Sequence, residues 1–242
     1  MRGGPRDVGR IRVLYRDAGW LALDKPAGLV TTAAGAGARC LVERAKAIAP
    51  EATHHHPLSR LDADVTGVVL FALSRRAIEE AERARAAGTY RRAYVGLLPR
   101  APAGDGAWTW PVAVDPRDAT RRVIDPEGSG VDSQAARTEY ATRAVALGGV
   151  ALVGFRPVTG RTHQILVHAA AAGVPILGDG MYVGARRVVL DDGGVVSAPR
   201  VLLHAWHVEI PGRGERVVAP LAADMLAAWA ACGGAPAACE PG

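Results

Sequence analysis

The sequence predicts an α+β fold in which a mixed, largely antiparallel central sheet is flanked by helices. Short β-rich runs follow one another across tight turns, segments with helical spacing of apolar residues lie between them, and no internal repeat is present. No segment has the composition of an interdomain linker. We therefore expect residues 1–242 to form a single domain.

The N-terminal third alternates between strands and a helix. Residues 11–17 and 19–26 are β-rich runs separated by a short turn, which predicts a hairpin. Residues 38–49 repeat apolar side chains at helical spacing and stop at Pro50, which predicts a helix. Residues 67–73 form a continuous apolar, β-branched run, which is typical of a central strand buried on both faces.

The middle of the chain begins with a second helix. Ser74 is placed to act as its N-cap, and Gly88 is placed to end it. Residues 89–98 return as a strand. Residues 99–134 are rich in Pro, Gly and Asp, so we expect a loop excursion with one or two edge strands.

The C-terminal elements repeat this alternation. Residues 135–144 and 148–157 are strands joined by a tight Gly-Gly turn. The alanine-rich segment 162–174 predicts a helix that ends near its glycine. A late strand over 201–211 and a final helix over 222–232 complete the pattern.

Composition restricts the class of protein. Hydrophobic residues make up 49% and charged residues 22% of the chain, which is enough apolar surface for a globular core. The three cysteines are scattered and lack the spacing of a structural zinc site, so a reducing cytoplasm fits best. No secretory signal and no run of eighteen apolar residues is present, and we expect neither secretion nor a membrane span.

The charge of the chain points to an anionic partner. Formal net charge is +5, and arginine supplies most of the positive side chains. RNA would be attracted to such a surface, because neutralising its phosphates releases counterions. A solvated basic face without a partner is an equally open interpretation of the charge alone.

A polar cluster precedes the apolar run at 67–73. It contains three consecutive histidines at 54–56, then Arg60, Asp62 and Asp64. The cluster is compatible with a metal site, a structural salt bridge or the nucleophile of an enzyme. Burying a carboxylate without a partner costs several kcal/mol, so for Asp62 considered alone a salt bridge to a cation is the favoured interpretation.

A second cluster lies at residues 160–164, at the start of the predicted helix. Its donors and acceptors, together with the free N–H groups of a helix N-terminus, favour a phosphate or the edge of a uracil. Alternatively, Thr162 is only an N-cap, and His163 and His168 are satisfied core or rim histidines.

Taken together, these motifs resemble the RluA-like family of RNA pseudouridine synthases. The motifs that carry the resemblance, in the order of the family, are Lys25–Gly28, Ser59–Gly67, Arg91–Gly96, Gly160–His168 and Pro175–Asp179. The resemblance implies the catalytic fold of pseudouridine synthases in one catalytic domain, with core motifs over residues 20–182.

The resemblance also implies an isomerase that converts a uridine of rRNA or tRNA to pseudouridine without metal or cofactor. Asp62 would be the catalytic aspartate, Tyr94 would stack on the flipped base, and Arg60 would help to extrude it. The residues expected to bind substrate are Arg60, Tyr94, Arg161, Thr162, His163 and Gln164.

Three positions depart from the family pattern. Ser59 replaces a histidine, and Val65-Thr66 replaces Thr-Ser. More consequential is Leu166, which occupies the position of an arginine that ion-pairs with the catalytic aspartate in the family. Without that arginine Asp62 needs another cation, and Arg161 or Arg60 is the nearest candidate by motif.

Two alternatives stay open. Leu166 suggests an RNA-binding protein on the same scaffold with weakened or lost catalysis. A metal-dependent hydrolase would use the histidines at 54–56 with Asp62, Asp64, His163 or His168, although three consecutive histidines point in different directions.

The substrate and assembly state follow only as expectations. We expect a cytoplasmic monomer with no separate RNA-binding domain before residue 10. Loops at 99–134 and 183–200 would then select the RNA.

Overall fold

The computed structural model describes residues 11–33, 39–190 and 193–239. They group into two compact units, each built from two pieces of chain. The first unit takes the chain up to Arg92 together with Ala205–Ala222, and the second takes Ala93–His204 together with the chain from Ala223. Both combine helices with antiparallel strands, so the predicted α+β class with a largely antiparallel sheet is confirmed. The single-domain assignment stays a prediction.

The first unit consists of six strands and two helices. Its elements are β1 (Arg12–Arg16), β2 (Trp20–Lys25), α1 (Leu41–Ile48), β3 (His56–Pro57), β4 (Thr66–Ala72), α2 (Arg75–Ala86), β13 (Leu203–Glu209) and β14 (Arg216–Val218). The strands follow the order β1-β2-β4-β13, with β3 paired to β4 and β14 paired to β13. The predicted hairpin at the N-terminus is the antiparallel β1–β2 pair.

The second unit holds the remaining eight strands and two helices of the described chain. Its elements are β5 (Arg92–Leu98), β6 (Gly106–Trp108), β7 (Val112–Asp115), β8 (Asp118–Ile124), β9 (Thr138–Val145), β10 (Ala151–Pro157), α3 (Gln164–Ala171), β11 (Arg187–Val189), β12 (Val195–Ser197) and α4 (Ala223–Ala231). The strands β5, β10, β9 and β6 lie side by side in that order, whereas β7–β8 and β11–β12 are separate two-stranded ribbons.

The apolar strands form the core of each unit, as their composition dictates. All seven residues of β4 are buried, which matches its nearly continuous apolar sequence. Gly67 begins this run with a φ of 111°, and a Cβ there would lie 2.1 Å from the carbonyl oxygen of Ala205. Only glycine fits that approach, which accounts for the last residue of the Ser59–Gly67 motif.

The helices begin and end for local chemical reasons. The hydroxyl of Ser74 accepts a hydrogen bond from the N–H of Ala77 at 3.2 Å, which confirms the predicted N-cap of α2. Gly88 follows α2 with a φ of 65°, a conformation that glycine adopts without strain. In the described part of the chain, no helix has the length and apolar character needed to cross a membrane.

The number of strands expected from sequence was too low for residues 99–134. That segment contains three strands, β6, β7 and β8, instead of one or two, and β7 and β8 form an antiparallel hairpin. Most residues of β8 are polar and none of the seven is buried, so the strand lacks the apolar alternation that marks a strand in sequence. The expectation that no domain precedes residue 10 lies outside the described residues.

Candidate active site

Asp62 lies in the short loop that leads from β3 into β4, within the first unit. Its side chain is half-buried, whereas the neighbouring Leu61 and Val65 are buried and anchor the loop in the core. The carbonyl oxygen of Asp62 accepts the N–H of Val65 at 3.1 Å, which closes a tight turn just before the strand. The backbone that carries the carboxylate of Asp62 is therefore fixed in place.

A buried lysine holds this loop from one side. Lys25 is fully buried, and its ammonium group donates to the carbonyl oxygens of Ala63 at 2.8 Å, Leu29 at 2.7 Å and Pro26 at 3.0 Å. An ammonium group carries three N–H donors, so it can serve all of these acceptors at once. The N–H of Gly28 also donates to the carbonyl oxygen of Ala63 at 2.9 Å. The Lys25–Gly28 motif therefore makes two hydrogen bonds to the residue that follows Asp62.

A buried threonine holds the loop from the other side. The hydroxyl of Thr31 donates to the carbonyl oxygen of Leu61 and accepts its N–H, both at 2.9 Å. Thr31 is 2% exposed, so these bonds lie in the interior and are costly to break. The residues before and after Asp62 are thus both tied to the end of β2 and to the segment that follows it. We call Lys25 and Thr31 with their bonds the loop clamp.

The other members of the polar cluster lie around this loop in different environments. The side chain of Arg60 is exposed, and so is that of Asp64. His55 contacts the carbonyl oxygen of Ala49 through Nε2 at 2.8 Å, and Nδ1 of His54 lies 2.9 Å from the hydroxyl of Thr53. In the described ranges, no group of three or more His, Cys, Asp or Glu side chains is arranged to hold a metal ion.

Tyr94 belongs to the second unit and lies in β5. It is opposite Phe155 in the antiparallel pairing of β5 with β10, and its side chain is 8% exposed. Strand β10 ends at Pro157, shortly before the turn at 160–164. Tyr94 and this turn are therefore connected through one strand of the same unit.

Gln164 is the most heavily bonded residue of the turn. Its Oε1 accepts from the hydroxyl of Thr159 at 2.6 Å and from the N–H of Arg161 at 3.0 Å. Its Nε2 donates to the carbonyl oxygen of Arg137 at 3.0 Å and to the hydroxyl of Thr138 at 2.9 Å. These four bonds fix the orientation of the amide and hold the turn. The predicted contact of Gln164 with substrate stays a prediction.

His168 extends the same buried network. Its Nε2 lies 2.9 Å from the carbonyl oxygen of Trp110, which only accepts, so Nε2 carries the proton. Nδ1 of the neutral ring then accepts from the hydroxyl of Thr138 at 2.9 Å. Burial lowers the pKa of His168, partly offset by the bond to Trp110. The interpretation of His168 as a satisfied core histidine thus agrees with its contacts.

The remaining turn residues face outward to different degrees. Arg161 and Thr162 are exposed, and Nε of Arg161 donates to the carbonyl oxygen of Ala135 at 3.0 Å. His163 is half-buried and immediately precedes α3, with a left-handed backbone at φ 55° and ψ 18°. Its Nδ1 lies 2.9 Å from the hydroxyl of Tyr182. The N-cap is therefore His163, and its side chain makes no capping bond.

Leu166 lies inside α3 and is 5% exposed. Five other residues of that eight-residue helix are buried as well, and because the six are consecutive, this part of α3 is buried on all sides. The leucine is thus compatible with its surroundings as an apolar residue. Which cation accompanies Asp62 stays a prediction.

A profile of the family described as RNA pseudouridylate synthase matches residues 19–171, which is more than half of the chain. The chain belongs to this family. It is an RluA-like family member, and the family is a class of isomerases. The resemblance inferred from sequence is thereby confirmed.

Similar proteins span most of the chain. The dual-specificity RNA pseudouridine synthase RluA of Salmonella typhi is 30% identical over 219 residues, which cover 88% of this chain and 93% of that protein. The ribosomal large subunit pseudouridine synthase D of Nitrosomonas europaea is 31% identical over 228 residues, covering 90% of this chain and 64% of that protein. The solved structure of human RNA pseudouridylate synthase domain containing 4 has a TM-score of 0.72 at 21% identity, covering 91% of this chain and 92% of that one.

Sequence reasoning assigned no role to several residues that shape the site. Lys25 was recognised only as part of a motif, and Thr31 was not singled out. Thr138 and Tyr182 were also given no role. The position of Tyr182 shortly after the Pro175–Asp179 motif was a signal that could have identified it. The sequence around Thr31 gives no sign of its contact with Leu61, because the two residues are 30 positions apart.

Proposed function

We propose that the protein isomerises a uridine of ribosomal or transfer RNA to pseudouridine, with Asp62 as the catalytic aspartate. The observation that carries the proposal is the loop clamp, which fixes the residues on both sides of a half-exposed carboxylate. A fixed reacting group spares the reaction the entropy of orienting it. The similar proteins described above are RNA pseudouridine synthases, which supports an RNA substrate, and one of them is named for the large ribosomal subunit.

The reaction requires the target uridine to leave its stack, which costs a few kcal/mol. Stacking on the ring of Tyr94 and contacts of Arg161, Thr162 and His163 with the RNA would offset that cost. Arg60, which is exposed beside Asp62 in the chain, would help to displace the base. These roles are carried over from the motif positions.

Asp62 would then break the glycosidic bond by one of two routes. It either attacks the anomeric carbon or removes a proton from the ribose. The freed uracil turns and rejoins the sugar through C5; the hydrogen of C5 is released to solvent, and N1 takes up a proton from solvent, so the product is an isomer of the substrate. Both routes need an ionised, well-oriented carboxylate.

The direct test is the turnover of Asp62→Asn. RNA containing 5-tritiated uridine, prepared from host cells that lack the gene, releases tritium when the new bond to C5 forms. We expect wild-type protein to release tritium and Asp62→Asn to be slower by at least about 10³-fold, because the amide cannot act as nucleophile or base.

The matched control is Asp64→Asn, an exposed carboxylate two residues further on. It should retain nearly full activity. Equal activity of wild type and Asp62→Asn would remove Asp62 from the catalytic role.

A second candidate function is RNA binding without catalysis, and Leu166 is the observation that favours it. The leucine is buried in α3 at the motif position of an arginine. The same assay separates the two candidates. Wild-type protein that retains RNA on a filter but releases no tritium would support the binding protein.

A further inference from the structure

Val183 combines two features that are unfavourable for a valine. Its φ is 66°, a backbone conformation that β-branched residues rarely adopt. Its side chain is apolar and yet 86% exposed. Glycine at this position would remove both the backbone strain and the exposed apolar surface. Strained residues persist where the surrounding structure imposes them, and they cluster at functional sites. We call residues 180–184 the Val183 turn.

The residues on both sides of Val183 hold the turn rigidly. Oδ1 of Asp179 accepts the N–H of Tyr182 at 3.1 Å. The N–H of Gly184 donates to the carbonyl oxygen of Asp179 at 2.8 Å. A Cβ on Gly184 would lie 1.9 Å from the carbonyl oxygen of Ile176, so only glycine fits directly after Val183. The backbone of the valine is therefore imposed by its neighbours.

Tyr182 joins the Val183 turn to the β7–β8 hairpin within the same unit. Its hydroxyl accepts the N–H of Arg122 at 2.9 Å. The guanidinium of Arg121 lies over its ring, 5.4 Å from the centroid. Both arginines belong to β8. The structure thus brings together parts of the two segments, 99–134 and 183–200, that sequence suggested for the selection of RNA.

A second guanidinium lies against the start of the turn. A Cβ on Gly180 would lie 2.8 Å from Nη2 of Arg186, so this guanidinium rests on the backbone of the glycine. Within the described part of the chain, neither Arg121 nor Arg186 forms an ion pair with a carboxylate. The turn that exposes Val183 therefore carries two cations whose charge no ion pair neutralises.

We propose that the Val183 turn is a contact surface for the RNA substrate, in which Val183 packs against a base and Arg121 and Arg186 bind neighbouring phosphates. The proposal rests on the proposed function for its ligand. RNA fits this surface because it presents the faces of unstacked bases beside anionic phosphates. A small anion would leave the valine exposed, and an apolar partner would leave the arginines uncompensated. A rigid turn also binds without first being ordered.

Val183→Gly tests the role of the valine. We expect its Tm to rise by about 1–3 °C, because relief of the backbone strain exceeds the freedom that glycine adds to the unfolded chain. Its Kd for RNA should nonetheless increase about three- to tenfold, because the apolar contact with the base is lost. The measurement is retention on a filter of total RNA from host cells that lack the gene. A purely structural role of Val183 would not weaken RNA binding in a stabilised protein.

The salt dependence of Kd separates the apolar contact from the phosphate contacts. Val183→Gly should weaken binding by the same factor at every salt concentration, because an apolar contact releases no counterions. Arg186→Gln should lower the slope of log affinity against log salt by about 0.7–0.9, which corresponds to one phosphate contact. Val183→Leu keeps an apolar side chain, so its Kd should stay within about twofold of wild type.

Leu147 supplies the matched control. It is apolar and 92% exposed, and it lies in the turn that joins β9 to β10. Leu147→Ser removes exposed apolar surface outside the Val183 turn, so it should keep the wild-type Kd and the wild-type slope.

Two results would overturn the contact. One is an equal Kd for Val183→Gly and wild type, and the other is a Val183→Gly variant with a lower Tm, which would show that the fold itself needs the valine. If wild-type protein binds the RNA but releases no tritium, the proposed isomerisation fails, and the change in Kd still decides whether the Val183 turn contacts RNA. Wild-type protein that retains no RNA would overturn both proposals.

Discussion

At the scale of single residues, the site depends on side chains that do no chemistry themselves. Lys25 and Thr31 are buried and satisfied by backbone partners around Asp62. Buried polar groups of this kind are stable only when their bonds are complete. Their hydrogen bonds fix the backbone on both sides of Asp62.

Replacement of Lys25 tests this dependence. Lys25→Met keeps the apolar stem and removes all three donors, leaving the carbonyl oxygens of Pro26, Leu29 and Ala63 without them. We expect a loss of about 2 kcal/mol in the free energy of unfolding, hence a fall in Tm of about 4–8 °C. Because the loop of Asp62 loosens, kcat should fall about tenfold, and more than KM rises.

The chain offers a matched control, since its other lysine, Lys46, is exposed on α1 and pairs with Glu43 at 2.7 Å. Lys46→Met should change Tm by less than about 1 °C, because exposed ion pairs contribute little. Equal Tm and kcat in Lys25→Met and wild type would show that the clamp does not position Asp62.

At the scale of elements, α3 begins where the turn at 160–164 ends, and its side chains form part of the buried network beneath that turn. Gln164 and His168 lie one turn apart on this helix, and both contact the hydroxyl of Thr138 in β9. The polar contacts run through the interior, so the turn is tied to the sheet of its unit. A change in the charge of His168 would disturb that tie.

The pH dependence of stability tests the neutral state of His168. An unfolded histidine takes up a proton near pH 6.5, whereas burial lowers the pKa of His168 in the folded chain. Below about pH 6.5 the unfolded chain therefore binds more protons, so stability falls as the pH falls, by up to about 1.4 kcal/mol per pH unit until the folded pKa is reached. Well above pH 6.5, where neither state binds this proton, His168 contributes no pH dependence.

Urea unfolding at pH 7.5 and pH 5.5 measures this effect. We expect His168→Gln to lose less stability between the two pH values than wild type, because its amide does not titrate. The exposed His56 in β3 supplies the control, and His56→Gln should behave as wild type does. The same loss in His168→Gln and wild type would show that another group is responsible.

The elements that sequence predicted well are those whose signals are local. The β1–β2 hairpin, the buried strand β4 and the Ser74 cap each follow from neighbouring residues. The β7–β8 hairpin was underestimated because β8 is largely polar. The clamp was not foreseen, since Lys25 and Ala63 are 38 residues apart and only the fold brings them together.

At the scale of the whole molecule, the net charge of +5 bears on how RNA is captured. Phosphate contacts provide affinity that falls with salt, while contacts with the base provide selection. The β7–β8 hairpin carries Arg117, Arg121 and Arg122 within the segment expected to select substrate. We infer that this hairpin contributes phosphate contacts.

The salt dependence of binding to total tRNA tests that inference. Arg117 is exposed at the turn of the hairpin, so Arg117→Gln should lower the slope of log affinity against log salt by about 0.7–0.9, which corresponds to one phosphate contact. The control Arg75→Gln removes an exposed arginine that pairs with Glu79 at 3.0 Å on α2, and its slope should match wild type. Identical slopes for Arg117→Gln and wild type would place the RNA elsewhere.

The most direct measurement is a map of pseudouridine in the total RNA of host cells that lack this gene. We expect at least one uridine of ribosomal or transfer RNA to lose its modification. Wild-type protein and Asp64→Asn should restore it, and Asp62→Asn should not. An unchanged map in the deletion strain, or full restoration by Asp62→Asn, would contradict the proposed function.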